Sequence, residues 1–118
     1  MRILVINGPN LDRLGVREPE LYGHETLAAL NARIAQEAQR LGVEVEFLQT
    51  NHEGVIVEAI GGASARFDGI IVNPGAYSHY SLAIRDALAG AGVVSVEVHL
   101  TNLFRRESFR QRLVTAGA

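Results

Sequence analysis

Four short, mostly apolar runs recur along the chain, and longer segments of different character separate them. The runs cover residues 2–7, 43–49, 69–73 and 93–98. The runs 2–7 and 69–73 are continuously apolar, as is typical of strands buried on both faces of a parallel sheet, and the run 43–49 alternates before it turns apolar. Strands that alternate with helices require a parallel sheet covered by helices, so this feature constrains the chain to the α/β class.

Helical patterns follow the apolar runs. After the first run, apolar residues recur at three- and four-residue steps from Leu27 to Leu41, and Gly42 is a typical stop. Right-handed crossovers between such units give a flavodoxin-like, doubly wound sheet. We therefore predict one domain, residues 1–118, with this fold. The predicted helices cover residues 24–42, 53–65, 81–90 and a last one that begins at residue 105.

Residues 8–23 show no period, and they contain three glycines and two prolines. We interpret this segment as a long loop, and loops of this length in a compact domain are usually functional. The loop contains Arg17 and Tyr22. A phenol ordinarily ionises near pH ~10, so Tyr22 can act as a base at neutral pH only when nearby guanidinium groups favour its phenolate.

Two arginines are candidates for that role: Arg17 in the same loop and Arg106 near the start of the last predicted helix. The alternative is that the tyrosine only packs the loop and that Arg17 pairs with Glu18 or Glu20 at the surface. The loop taken alone favours this structural alternative.

Polar residues follow every predicted strand, in the segments "NGPNL", "QTNHEG", "NPGAYSHYS" and "EVHLTN". In doubly wound sheets, ligands bind beyond the carboxyl ends of the strands. A single asparagine at such a position is usually a cap or a turn residue. Because four loops bring polar side chains to the same edge, the sequence predicts a functional site there.

Glu97 and His99 lie two residues apart at the end of the last predicted strand. This spacing places both side chains on one face, and a carboxylate beside an imidazole can fix its tautomer, as a general acid requires. A structural histidine is the alternative, and it applies equally to His79. The histidines include no closely spaced ligand pair, so a zinc site is disfavoured.

Composition excludes several classes of function. The net charge is -2, and the basic residues form no stripe interleaved with aromatics, so we expect no nucleic-acid or membrane partner. All eleven basic residues are arginine, which excludes a lysine Schiff base and a lysine-dependent phosphate loop. Cysteine is absent, which excludes thiolate metal sites. No apolar run approaches the ~20 residues that span a bilayer, and we expect a cytoplasmic protein.

Five segments resemble, in order, the signature segments of type II 3-dehydroquinate dehydratases. They are "NGPNLDRLGVREPELYG", "QTNHEG", "NPGAYSHYS", "IRDAL" and "EVHLTNLFRRESFR", and they extend over nearly the whole chain. The resemblance implies the trans-elimination of water from 3-dehydroquinate, through an enolate, to give 3-dehydroshikimate. It implies the shikimate pathway, no metal or organic cofactor, and a homo-oligomer that is a dodecamer built from trimers.

The resemblance also implies roles for individual residues. Tyr22 matches the base, and Arg17 matches the loop arginine that keeps the base ionised. Asn10 matches the residue that helps to hold a water against the enolate oxygen. His99 matches the acid that protonates the departing hydroxyl, with Glu97 as its orienting carboxylate. Residues 8–23 match a lid that closes over the substrate.

Six further positions match the family's substrate-binding residues. Three would contact the substrate with their side chains, two would hold its carboxylate with their backbone, and one would reach a neighbouring subunit's site. The side-chain contacts are Asn73, His79 and Arg110. The backbone contacts are Leu100 and Thr101. The residue that would reach the neighbouring subunit's site is Asp86.

The chain also departs from the family pattern. Asp12 stands where an asparagine is common, and Tyr80 stands where a smaller residue is usual. The family continues into a glycine-rich fifth strand and a final helix, and "RQRLVTAGA" stops before both. We therefore expect that the native protein is longer or that this chain assembles poorly.

A non-catalytic, flavodoxin-like binding module is the main alternative function. A phosphoacceptor domain needs clustered aspartates after the first strand and a later lysine, and a flavin carrier needs a Ser/Thr-rich phosphate loop. The segment "NGPNLDRLG" and the missing lysine fit neither. A catalytically inactive relative with a structural role is a further alternative.

Overall fold

One parallel sheet organises the molecule. The computed structural model of the chain describes all 118 residues. The strands are β1 (Arg2–Asn7), β2 (Glu44–Gln49), β3 (Gly69–Asn73) and β4 (Val94–Glu97). They pair in parallel in the order β2-β1-β3-β4. This order confirms the predicted flavodoxin-like α/β fold.

Four α-helices connect or flank the strands, and side-chain caps define where two of them begin. Thr26 accepts a hydrogen bond from the backbone N of Ala29 at 3.1 Å, and Ser81 accepts one from Ile84 at 3.0 Å. Such caps satisfy N–H groups that have no partner within the helix. The helices are α1 (Pro19–Tyr22), α2 (Leu27–Leu41), α3 (Glu53–Gly61) and α4 (Leu82–Ala89). None of them is long and apolar enough to cross a membrane.

The main core lies between the sheet and the pair α3 and α4. Alternate residues of β1 and β3 face these helices, and the best-buried side chains are 0–1% exposed. Burying each such side chain contributes about 1.5–3 kcal/mol. Helix α2 covers the opposite face of the sheet, over Val5 and Val45. The principal core residues are Leu4, Ile6, Ile56, Ile60, Ile70, Val72, Ile84 and Leu88.

The segment 8–23 is more ordered than predicted. It contains a 3-10 turn at Leu11–Arg13 and the short helix α1. Leu11 and Leu14 are buried and anchor the first half, while Pro19 provides a backbone angle suited to the first position of a helix. The prediction of an irregular loop is therefore wrong in part.

The helix predicted from residue 105 does not form. Two 3-10 turns, Leu103–Arg105 and Ser108–Gln111, replace it. Phe104 and Phe109 are both exposed, so the segment has no apolar face that packing could stabilise as a helix. Between the turns the backbone of Arg106 is extended. The helix predicted over residues 53–65 also ends earlier, at its two glycines.

Candidate active site

A pocket opens beyond the carboxyl ends of β1 and β3, at the edge where the sequence predicted a site. Its volume is about 60 Å³, and the segment 8–23 forms one wall. Seven of the residues singled out from the sequence line it: Asn10, Arg17, Tyr22, Asn73, His99, Leu100 and Thr101.

The loops that form this pocket are tied together by backbone contacts. The N–H of Gly8 donates to the carbonyl of Asn73 at 2.8 Å. A side chain at Gly8 would place its Cβ 2.7 Å from the carbonyl oxygen of Pro74, so only glycine allows this approach. The N–H of Asn10 donates to Asn51 Oδ1 at 3.0 Å, and Tyr77 Oη donates to the Asn51 carbonyl at 2.8 Å.

Asn73 is buried at the centre of this arrangement. Its Oδ1 accepts a hydrogen bond from the N–H of Gly75 at 3.1 Å. This bond fixes the orientation of the Asn73 side chain, because its carboxamide oxygen is bonded to the turn. The two N–H donors of its carboxamide have no partner in the structure's hydrogen bonds, so they are free for a ligand.

Tyr22 ends α1 and lies close to two guanidinium groups. Arg106 Nη1 donates a hydrogen bond to Tyr22 Oη at 3.1 Å and another to Thr101 Oγ1 at 3.2 Å. Arg17 instead faces the ring, with its Cζ 5.2 Å from the ring centroid. The hydrogen bond with Tyr22 raises the pKa of Arg106 above its ordinary value. A permanently charged group is therefore held at the phenol oxygen, and the Arg106 side chain is only 10% exposed.

Glu97 and His99 form a hydrogen-bonded pair, and His99 lines the pocket. His99 Nε2 lies 2.8 Å from Glu97 Oε2, and both side chains are largely buried. A carboxylate can only accept a hydrogen bond, so the proton of this pair is on Nε2. The other carboxylate oxygen, Oε1, accepts a hydrogen bond from Thr115 Oγ1. The arrangement leaves Nδ1 as the ring nitrogen without a protein partner.

Four residues singled out from the sequence do not line the pocket. One of them, Glu97, is joined to the pocket residue His99 by a hydrogen bond, and the other three lie apart. His79 Nδ1 lies 2.8 Å from the carbonyl oxygen of Arg112. Arg110 Nε donates to Glu107 Oε2 at 2.9 Å. Asp86 lies on the exposed face of α4. The structure of one chain therefore does not bring these three to the other site residues.

Two site neighbours were not among the site residues inferred from the sequence. Arg106 was weighed as a partner of Tyr22, but nothing in "RRESFR" distinguishes it from Arg105. Thr115 carries no sequence signal, because 18 residues separate it from Glu97. No group of three or more His, Asp or Glu side chains is placed to hold a metal ion.

Comparisons with known proteins agree over almost the entire chain. The family described as dehydroquinase class II matches residues 1–118. A protein named 3-dehydroquinate dehydratase, from Bacillus cereus strain AH187, is 54% identical over 116 residues, which are 98% of this chain and 80% of that protein.

Two crystal structures extend the likeness to the fold. The type II dehydroquinase from Butyrivibrio crossotus aligns with a TM-score of 0.96 and 48% identity, over 99% of this chain and 82% of that one. The type II dehydroquinase from Propionibacterium acnes aligns with a TM-score of 0.93 and 43% identity, over 98% and 80% of the two chains. The chain therefore belongs to the class II dehydroquinase family.

Proposed function

We propose that this chain is a 3-dehydroquinate dehydratase, which eliminates water from 3-dehydroquinate to give 3-dehydroshikimate in the shikimate pathway. The observation that carries the proposal is one pocket that holds a phenol beside two arginines and an imidazole paired with a carboxylate. Relatives at 54% identity carry this enzyme name. A non-catalytic binding module finds no support among them.

Tyr22 acts as the base in this proposal. The reaction begins when a base removes the proton next to the ketone of the substrate, and the base must be ionised to do so. Arg106 favours the phenolate through its hydrogen bond to Oη, and Arg17 adds a second positive charge at the ring. The two positive charges therefore stabilise negative charge on the phenol oxygen.

The electrons of the broken C–H bond move onto the ketone oxygen and form an enolate. Negative charge then develops on that oxygen, and fixed donors around it lower the barrier. Asn10, on the pocket wall, would hold a water against this oxygen, and Arg17 would supply positive charge nearby. No lysine exists to form an imine instead.

His99 acts as the acid in the second half of the reaction. The enolate electrons re-form the ketone and expel the hydroxyl group, which takes the Nδ1 proton of a doubly protonated His99 and leaves as water, so that His99 keeps its proton on Nε2. Glu97 holds Nε2, so Nδ1 is the nitrogen that would face the leaving group. The base has gained one proton and the acid has lost one, and exchange with solvent restores both.

Substrate binding involves the remaining residues. The backbone of Leu100 and Thr101 would receive the substrate carboxylate beside the amide donors of Asn73. His79 and Arg110 are proposed as further contacts. Since Arg110 is paired with Glu107, this contact requires Arg110 to exchange Glu107 for the substrate.

Residues 8–23 act as a lid. The pocket of about 60 Å³ is much smaller than the ~300 Å³ or more that ligand pockets usually provide. The lid must therefore move to admit the substrate. Gly15 and Gly23 have φ angles of 92° and 81°, a region that glycine adopts without strain, and they are placed to act as hinges.

Two further proposals concern the assembly of the chain and its place in the cell. The chain is proposed to assemble as a dodecamer of trimers, with Asp86 contributing to a neighbouring subunit's site. Asp86 lies one helical turn from Leu82, which is 65% exposed, so this face of α4 combines an apolar and a charged contact point. The cytoplasm is the proposed place of action.

A continuous absorbance assay tests the function. Purified protein is mixed with 3-dehydroquinate, and growth of the conjugated enone absorbance of the product is followed, with product identity checked by mass. We expect catalytic turnover by the wild type. Saturable binding of the substrate without turnover would instead indicate the binding module or an inactive relative.

A further inference from the structure

We propose that Thr115 is a positioning residue for the general acid, an inference that rests on the proposed function of His99. Its Oγ1 donates a hydrogen bond to Glu97 Oε1, while Glu97 Oε2 is bonded to His99 Nε2. The carboxylate is thus held at both oxygens. With only the histidine as partner, rotation of the carboxyl group would turn the imidazole with it.

Thr115 is well placed for this role because it is itself fixed. It is 1% exposed. The preceding residue, Val114, donates its N–H to the Ser78 carbonyl at 2.7 Å and accepts from Arg85 Nη1 at 3.2 Å. These bonds attach the segment to α4 and to the turn that follows β3. These backbone bonds therefore fix the position of the hydroxyl, and the hydroxyl holds the Glu97 carboxylate in place.

The burial of Glu97 makes the hydrogen bond from the Thr115 hydroxyl important. Glu97 has a side chain that is 10% exposed, and a buried ionised carboxylate needs donors for its oxygens. Glu97 and Thr115 line a cavity of about 430 Å³, separate from the candidate active-site pocket, and Ser95 lines it as well. Ser95 Oγ is buried and has no hydrogen-bond partner. Two hydroxyl-bearing residues thus line a cavity together with Glu97, and only Thr115 bonds to it.

The first experiment measures turnover in two variants and a matched control. Thr115→Val keeps the shape of the side chain and removes the donor, Thr115→Ser keeps the donor, and Ser95→Ala removes the unbonded hydroxyl. We expect kcat of Thr115→Val to fall about tenfold with KM nearly unchanged, less than the ~10²–10⁴-fold attributed to a general acid. The other two variants should retain wild-type kcat.

The second experiment reads the His99 ring directly and does not depend on turnover. Nitrogen-15 NMR of the neutral imidazole should show the tautomer protonated at Nε2 in the wild type and in Thr115→Ser. Thr115→Val should show a mixture of tautomers. A purely structural threonine would lower thermal stability without changing the tautomer.

The outcomes separate the two proposals. A wild-type protein without dehydratase turnover would contradict the proposed function, while the NMR result would still test the positioning role. Wild-type tautomer and kcat in Thr115→Val would overturn the role of Thr115. If this variant fails to fold, NMR of the wild type provides the test. We expect a slowly exchanging Thr115 hydroxyl proton that is coupled to the Glu97 carboxyl carbon. The absence of this signal would overturn the proposal.

Discussion

At the residue scale, the two arginines beside Tyr22 occupy different positions. Their guanidinium carbons lie at similar distances from the centre of the ring, 5.6 Å for Arg106 and 5.2 Å for Arg17, but only Arg106 donates a hydrogen bond to the phenol oxygen, at 3.1 Å. A hydrogen bond to the charged form of a group favours that form. Arg106 should therefore contribute more to ionising the base, although the loop sequence draws attention first to Arg17.

Substitution of the proposed base and the proposed acid gives the most direct residue-scale prediction. We expect Tyr22→Phe and His99→Ala each to lower kcat by about 10²–10⁴-fold. Both residues lie at the edge of the sheet and outside the main core cluster, so thermal unfolding should change little. Wild-type turnover in either variant would show that its role is wrongly assigned. Steady-state kinetics and circular dichroism provide the two measurements.

The sequence anticipates some of these contacts and not others. Glu97 and His99 are two residues apart on a strand, and the strand period places them on one face without further knowledge. The contacts of Tyr22 with Arg106 and of Glu97 with Thr115 join residues 84 and 18 positions apart. Only the folded chain brings such pairs together, because no local period relates them.

At the element scale, periodicity predicts the strands and the long helices well. Strand β1 and strand β3 have the predicted bounds, and α2 and α4 begin and end within three residues of prediction. The prediction is wrong after residue 105, where Arg106 turns into the site and the backbone becomes extended. The hydrogen bonds of Arg106 to Tyr22 and Thr101 override local helix propensity there.

The cap of α4 offers an element-scale prediction. Ser81 Oγ accepts from the N–H of Ile84 and donates to Glu53 Oε2 at 2.6 Å, which joins the starts of α3 and α4. Ser81→Ala should lower the free energy of unfolding by about 2 kcal/mol, because a cap and a charge-assisted bond are both lost.

Thr26→Ala is the matched control for this cap. Thr26 caps α2 through one exposed hydrogen bond, and its loss should cost about 1 kcal/mol. Chemical denaturation of both variants gives the comparison. Equal losses would mean that the bond between Ser81 and Glu53 adds nothing to stability.

At the scale of the whole molecule, the absence of lysine excludes a mechanism in which a lysine amine forms an imine with the substrate. The chain has no lysine, and its amino terminus precedes β1, at the opposite edge of the sheet from the pocket. Borohydride should therefore neither inactivate the enzyme in the presence of 3-dehydroquinate nor leave a covalent adduct. Inactivation accompanied by a mass increase of the protein would contradict the enolate route.

Assembly can be tested through the proposed role of Asp86. We expect Tyr22→Phe and Asp86→Ala to be poorly active alone. Co-expressed chains should form mixed oligomers in which some sites combine the intact Tyr22 of one chain with the intact Asp86 of another. Activity should then exceed the sum of the separate variants. Activity equal to that sum would show that Asp86 does not act across subunits.

The central claim is that arginine charge keeps Tyr22 ionised so that it can remove the substrate proton. A pH–rate series on the wild type, Arg106→Gln and Arg17→Gln tests it most directly. Losing a guanidinium makes the phenolate harder to form, so the acidic limb of kcat/KM should move to higher pH, further in Arg106→Gln than in Arg17→Gln. An acidic limb that stays at the wild-type pH in both variants would contradict the account.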